Sequence, residues 1–385
     1  MKKSLLLAGT AIVALNAATA AAVDVDMYGQ VNKSVLVYDD GRDTEVNFVD
    51  NDKSSTRFGL RGSQALSNGL TASVLLEAEV QSNQGASNDI AQRVAPNQAS
   101  TPAAIAAAGI TERHTRVGLA GNWGAVFVGR TGTATDGITE IDIAGADDVL
   151  GSGVDRFGGG LSFRQNNIAG TPVRTVGEVF DNLDGIGSRS HAGDRVQSIR
   201  YDSPIFNGFQ ARIATAQGGD IDAAVLYSGK IDAFEVRGGV GYVAFNNGNA
   251  STGGGAVTNV TNDILDHQWA GSVSVKHDSG IGGTFAYGQQ SLDRKSAGND
   301  DPSFYYVKLG YTWDAFEVAA DYSHHSDMFI ATTVDHDATA WGLAGQYNMG
   351  NGVSLAALYR HLDLDLTGTS TDAIHLYALN LRVKF

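Results

Sequence analysis

The chain contains no cysteine and only five prolines in 385 residues. Disulfides and thiolate metal sites are therefore excluded, and stability has to come from backbone hydrogen bonding and packing. Charge is sparse at 18%, and Asp and Glu outnumber Lys and Arg, 42 to 27. The formal charge of −15 falls two units further if Lys2 and Lys3 leave with a leader, so nucleic acid is disfavoured as a partner. Apolar residues make up 43% of the chain but are dispersed. No uninterrupted run approaches the roughly 20 residues of a spanning helix, which disfavours a helical membrane protein.

The one helical-looking apolar stretch is at the start, where Lys2 and Lys3 precede Leu5 to Ala18 and the small residues Thr19 to Ala22 follow. It reads as a secretory signal peptide over 1–22, cut after Ala18-Thr19-Ala20 or Ala20-Ala21-Ala22. Residues 23–385 are then one exported domain that begins near Ala21 or Val23.

What the chain does have is 48 glycines and segments of about ten residues that alternate apolar and polar. Tyr305, Val307, Leu309, Tyr311 and Trp313 share one parity, with Lys308, Gly310 and Thr312 on the other. Phe316, Val318, Ala320 and Tyr322 oppose Glu317 and Asp321. In the last segment Tyr377, Leu379, Leu381, Val383 and Phe385 oppose Asn380, Arg382 and Lys384. Successive strand side chains point to opposite faces, so each segment presents one apolar wall and one polar wall. A soluble two-sheet sandwich alternates in the same way.

The connections separate the two readings. Short links (Ser67-Asn68-Gly69, Gly121-Asn122, Ser203 to Gly208, Gly229 to Ala233, Asp314-Ala315, Gly350-Asn351-Gly352) mostly alternate with long polar stretches at 39–53, 81–110, 131–194, 247–264, 292–302 and 326–337. The fold expected is all-β: a transmembrane antiparallel barrel of about 16 strands in the outer membrane, with short periplasmic turns and long extracellular loops. The link near Gly218-Gly219-Asp220 breaks the rhythm, and Leu161 to Gln165 is either an extra strand or part of a loop. Trp123, Trp269, Trp313, Trp341, Tyr347 and Tyr377 are expected in interfacial girdles.

Several segments resemble the Gram-negative general, trimeric porin family. Met27-Tyr28-Gly29-Gln30-Val31-Asn32 is similar to that family's opening strand. Ser55 to Gly62, followed by Leu66-Ser67-Asn68-Gly69-Leu70 and Leu76-Glu77, resembles its second hairpin. Thr115 to Gly121 with Trp123-Gly124 and Val128-Gly129-Arg130 resembles the next, and Ser198 to Pro204 with Gly208-Phe209 resembles the one after its third loop. The ending Leu381-Arg382-Val383-Lys384-Phe385 is similar to the C-terminal strand of bacterial outer-membrane proteins, whose final Phe is read by the barrel-assembly machinery. The resemblance implies a homotrimer of water-filled pores for passive diffusion of small hydrophilic solutes, each narrowed by a third loop folded inward. Here that connection, 131–194, is longer than the family's.

By parity Arg57, Arg61, Arg116 and Arg200 point into the bore, since an arginine facing lipid at mid-depth costs roughly 2–4 kcal/mol. Arg57, Arg116 and Arg200 fall on positions that resemble the family's basic constriction wall, and Arg61 shares the face of Arg57. The plainer reading is that they pair with wall carboxylates such as Glu77 and Glu79. Opposing acids are expected on the third loop, from Asp136, Glu140, Asp142, Asp147 and Asp148. Such a wall and loop set a transverse field that selects solutes. Lys308, Arg360 and Arg382 add inward basic parity, whereas Lys33 shares the outward parity of Val31 and is expected at a rim or a subunit contact. No cofactor is expected. Acidic loops sharing divalent cations with lipopolysaccharide are a further expectation.

Enzymatic readings are weaker. No P-loop, Gly-x-Ser-x-Gly elbow or His-Glu-x-x-His occurs. His324 and Ser326, two apart on an outward face, are reminiscent of the outer-membrane phospholipase A family, but the same spacing occurs by chance at His277 and Ser279. A barrel serving as an adhesin or surface scaffold is the third class.

Overall fold

In the computed structural model, the residues described are 23–82, 109–167, 170–186, 195–246, 264–294, 300–329 and 334–385. The expected leader, 1–22, lies outside them, as do most of the second long loop and parts of others. The described strands are β1 (Asp24–Asp39), β2 (Thr44–Asp50), β3 (Arg57–Ala65), β4 (Thr71–Gln81), β5 (Gly109–Gly121), β6 (Gly124–Gly132), β7 (Ser162–Arg164), β8 (Pro172–Thr175), β9 (Arg195–Asp202) and β10 (Phe209–Ala216). They continue with β11 (Ile221–Ile231), β12 (Phe234–Ala244), β13 (Ile264–His277), β14 (Ile281–Arg294), β15 (Ser303–Trp313), β16 (Phe316–Ser326), β17 (His336–Gly350), β18 (Val353–Leu366) and β19 (Ile374–Lys384).

The main sheet has 17 strands but closes as a 16-strand barrel, because β2 and β3 lie end to end along one edge of β1. Lys33 to Asp39 pair with Asp50 to Thr44, and Asp24 to Gln30 pair with Ser63 to Arg57. The other edge of β1 pairs with β19, from Gln30↔Lys384 to Asp39↔His375. Closure removes the free edges that lipid could not hydrate. At the seam the Phe385 amide donates to Gly29 O and the Gly29 amide to Phe385 O, each at 3.0 Å.

Residues 44–50, expected in a loop, are thus wall. A tight turn at 40–43 and a 3-10 turn at Asp52–Ser54 bracket them. Leu161 to Gln165 is resolved as part of the third loop, where β7 pairs with β8 in a small two-stranded ribbon separate from the barrel sheet. The link at 217–220 is a short turn on the rim that carries the long loops, as is the turn at 40–43. At the opposite rim, Asn351 and Gly352 both take positive φ, 50° and 79°, the combination a two-residue hairpin needs to match strand twist.

Parity holds around the wall. Phe58, Leu309 and Leu381 are 42%, 67% and 49% exposed on the outside, while Asn32, Ser34, Lys308, Asp321, Arg360 and Asn380 are buried inside. The outer aromatics form two bands; on β15 these are Tyr305 and Trp313, eight residues or about 26 Å of strand apart. Tilted strands make that close to the apolar band of an outer-membrane barrel.

Candidate functional site

The lumen is lined by two unlike surfaces. One is an arginine wall on β3 to β10. The Arg57 guanidinium lies 3.6 Å from Glu77, and Arg113 donates to Glu77 at 2.7 Å and Glu79 at 3.3 Å. Arg200 pairs with Asp202 at 2.9 Å and Arg212 reaches the same carboxylate at 3.6 Å. Arg195 donates to His114 at 2.9 Å. Arg116 and Arg200 both lie over the Phe127 ring, 4.1 and 5.2 Å from its centre.

Arg116 differs from its neighbours. Its Nε and Nη1 are buried with no hydrogen-bond partner among the described residues. The Phe127 ring covers one face of this guanidinium, so a cation–π contact stands where its neighbours have carboxylates. Along the wall Arg57, Arg113, Arg116, Arg195, Arg200 and Arg212 outnumber Glu77, Glu79 and Asp202.

Arg113 was not legible from parity. The β4–β5 register runs Glu77↔His114 and then Ala78↔Glu112, so Arg113 sits in a bulge. An extra residue re-aims a side chain, and here both Arg113 and His114 face inward. Arg61 is placed toward the short-turn rim, 65% exposed and 3.9 Å from Asp26, away from the other arginines. Lys33 pairs with Asp50 and donates to Ser82 at 2.8 Å within its own chain.

The second surface is the third loop, which runs along the inner wall from β11 to β19. The Thr135 amide and hydroxyl donate to Asp222 at 2.8 and 2.6 Å, and the Ile143 amide donates to Ser274 at 2.9 Å. Asp142 accepts from Thr284 and from Lys308, each at 2.7 Å. The Ala146 amide donates to Glu317 at 2.6 Å, the Asp148 amide to Gln346 at 3.2 Å, and the Asp148 carboxylate binds Ser354 and Arg382.

Glycine makes this track. A Cβ at Gly310 would lie 2.0 Å from Ala144 O, and one at Gly282 would lie 2.9 Å from Ala144 Cα. Any larger residue would hold the loop backbone off the wall. Beyond Asp148 the loop carries its own apolar cluster, in which Leu150, Phe157, Phe163 and Phe180 pack on inward Leu36, Tyr38, Leu362 and Leu376. A buried ion pair, Arg164 to Asp40 at 2.6 Å, ties the ribbon to the β1–β2 turn. The insert thus fills lumen beside β17 to β2 and leaves the arginine side polar.

The five loop acids divide by placement. Asp142 and Asp148 are clamps on the wall. Burial works to raise the Asp142 carboxyl, but Lys308 and the donors Ala144 N–H and Thr284 O–H hold it below the ordinary range. At Asp148 burial wins over Ser354 and Arg382, and its carboxyl is raised. Asp147 and Glu140 are exposed, Glu140 lying 3.9 Å from Arg156, and Asp136 is half-buried within electrostatic reach of Arg212.

Ser326, His324 and Asp337 also meet, outside the barrel. The Ser326 hydroxyl donates to Asp337 at 2.6 Å, with His324 Nδ1 at 3.5 Å. The proton therefore goes to the carboxylate and not to the imidazole that would act as base.

A sequence profile described as Gram-negative porin matches residues 8–367. Among solved structures, the chain is similar to an anion-selective porin from Comamonas acidovorans, with 17% identity, a TM-score of 0.60 and coverage of 94% of this chain and 100% of that one. The trimer form of OmpT from Vibrio cholerae gives 15%, 0.57, 94% and 100%, and the outer membrane channel DcaP of Acinetobacter baumannii gives 11%, 0.56, 95% and 99%. A comparison with curated protein sequences finds no match. With its profile match, closed barrel and polar bore, this chain belongs to the Gram-negative porin family, outer-membrane barrels through which small hydrophilic solutes diffuse passively.

Proposed function

We propose that this pore prefers anions and that Arg57, Arg113, Arg116 and Arg200 form the basic side of its constriction, facing third-loop acids of which Asp136, Glu140 and Asp147 reach the passage. The observation that carries the reading is Arg116. Its guanidinium stacks on Phe127 and has no carboxylate at salt-bridge distance among the described residues, on a wall where arginines exceed carboxylates, so its charge favours a transient oxyanion over a cation. The net charge of −15 does not oppose this, because charges beyond a Debye length of about 8–10 Å are screened while wall charges in a narrow bore are not. The bland reading, in which the arginines only neutralise Glu77 and Glu79, fits Arg57 and Arg113 and fails for Arg116.

The protein assembles as a homotrimer in this reading, as the Vibrio cholerae relative is described, with 1–22 removed on export and Phe385 read during barrel assembly. Reversal potentials in a salt gradient across a planar bilayer test the selectivity. A shift toward the cation value in Arg116→Ala, with the wild type on the anion side, is the expected result. A cation-preferring wild type would refute it. Conductance steps in groups of three support the trimer, and hydrolysis of phospholipid lost in His324→Ala would favour an enzyme instead.

A further inference from the structure

The outward positions of β18, read from the short-turn rim, are Leu355, Ala357, Tyr359, His361 and Asp363. They pass from lipid, through the aromatic band, to water. At the boundary two imidazoles meet. His361 is directly opposite His375 of β19, their ring centres 4.9 Å apart and their Nδ1 atoms 3.5 Å apart, and the Tyr359 hydroxyl lies 3.0 Å from His375 Nδ1. Neither histidine faces the lumen or takes part in the arginine wall.

That gap is long for a nitrogen-to-nitrogen hydrogen bond. It is close to the separation of two imidazoles on one tetrahedral ion, roughly 3.3–3.4 Å for metal–nitrogen bonds of about 2.0–2.1 Å. Both rings stand on rigid, fully paired strands, so little ordering is needed to bring the two nitrogens onto one ion. We propose that His361 and His375 form a binding site for a divalent first-row transition ion on the outer wall, at the level of the lipid headgroups. No group of three or more His, Cys, Asp or Glu that could hold a metal occurs among the described residues. The site is therefore a two-imidazole chelate completed by water, and the order of affinity is Cu2+ above Zn2+.

The test uses the intact protein in detergent, titrated with ZnCl2 and CuCl2 in a calorimeter. Wild type and His324→Gln, which keeps the pair, are expected to bind one ion per chain with equal affinity; His361→Gln and His375→Gln are expected to bind it at least tenfold more weakly. Electron paramagnetic resonance of the Cu2+ form is expected to show two equatorial nitrogens in wild type and one in each variant. Because these residues face outward, bilayer conductance of the variants should match wild type and certify their fold. Equal affinity in His361→Gln, or fewer than two nitrogens on Cu2+ in wild type, would overturn the proposal. The second readout needs no variant.

Discussion

Removing one side of the Lys308–Asp142 clamp tests whether the third loop is held as described. The pair is 2.7 Å apart, and Lys308 and Asp142 side chains are 0% and 7% exposed. At an effective dielectric of about 20 the gross attraction is about 6 kcal/mol. Desolvation of two ions offsets most of it, so the pair as a whole contributes little. Breaking it does not. Lys308→Met leaves the Asp142 carboxylate buried with only the Ala144 amide and Thr284 hydroxyl, at a cost of about 3–5 kcal/mol. The barrel ladder is untouched, so that cost is expected to appear as local release of residues 141–148 from β13 to β16. Single-channel conductance should rise or become noisy, and limited proteolysis should cut the loop. The double variant Lys308→Met/Asp142→Asn removes both charges and should recover most of the wild-type behaviour. If Lys308→Met leaves conductance and protease resistance unchanged, or the double variant is no better than the single one, the clamp does not hold the loop.

The same clamp sets a pH dependence. The folded Asp142 carboxyl is held below its unfolded value, so its stabilisation is complete above the ordinary carboxylate range and is lost as pH falls through the depressed value. The difference in conductance between wild type and Lys308→Met should stay constant from pH 7 to about pH 4 and shrink only below it, whereas Asp148, whose carboxyl is raised, titrates first and in both proteins alike; a difference already shrinking at pH 6 would contradict the assignment. Arg116→Ala is expected to lower the anion-to-cation permeability ratio about fivefold, the effect of about 0.5 kcal/mol lost by the anion and gained by the cation for one charge at roughly 8 Å in water. Arg61→Ala, at the rim, should leave the ratio within twofold, and reversal potentials decide both. Gly310→Val should push Ala144 off the wall, destabilising the loop by about 1–3 kcal/mol of overpacking, read as conductance heterogeneity in single channels.

Strand parity, turn chemistry and the absence of a long apolar run were enough to read the barrel, its strand count and the inward aim of Arg57, Arg116 and Arg200, because a period of two follows from the backbone alone. What local pattern could not carry was anything set by a second surface. Residues 44–50 looked like loop, since only β1 alongside them makes a strand. Arg113 escaped because a bulge depends on pairing with β4, and Arg61 shares parity with Arg57 while strand height, which parity does not encode, leaves it at the rim. The division of the loop acids into clamps and lumen-facing groups was decided only by where Lys308, Ser354 and Arg382 stand on distant strands. By itself the sequence determined which side of each strand meets lipid, because that is local and repeats every two residues. Only the tertiary structure decided how the long third loop lies along the inner wall, because that depends on contacts between residues far apart in the chain, such as Asp142 with Lys308 and Asp148 with Arg382.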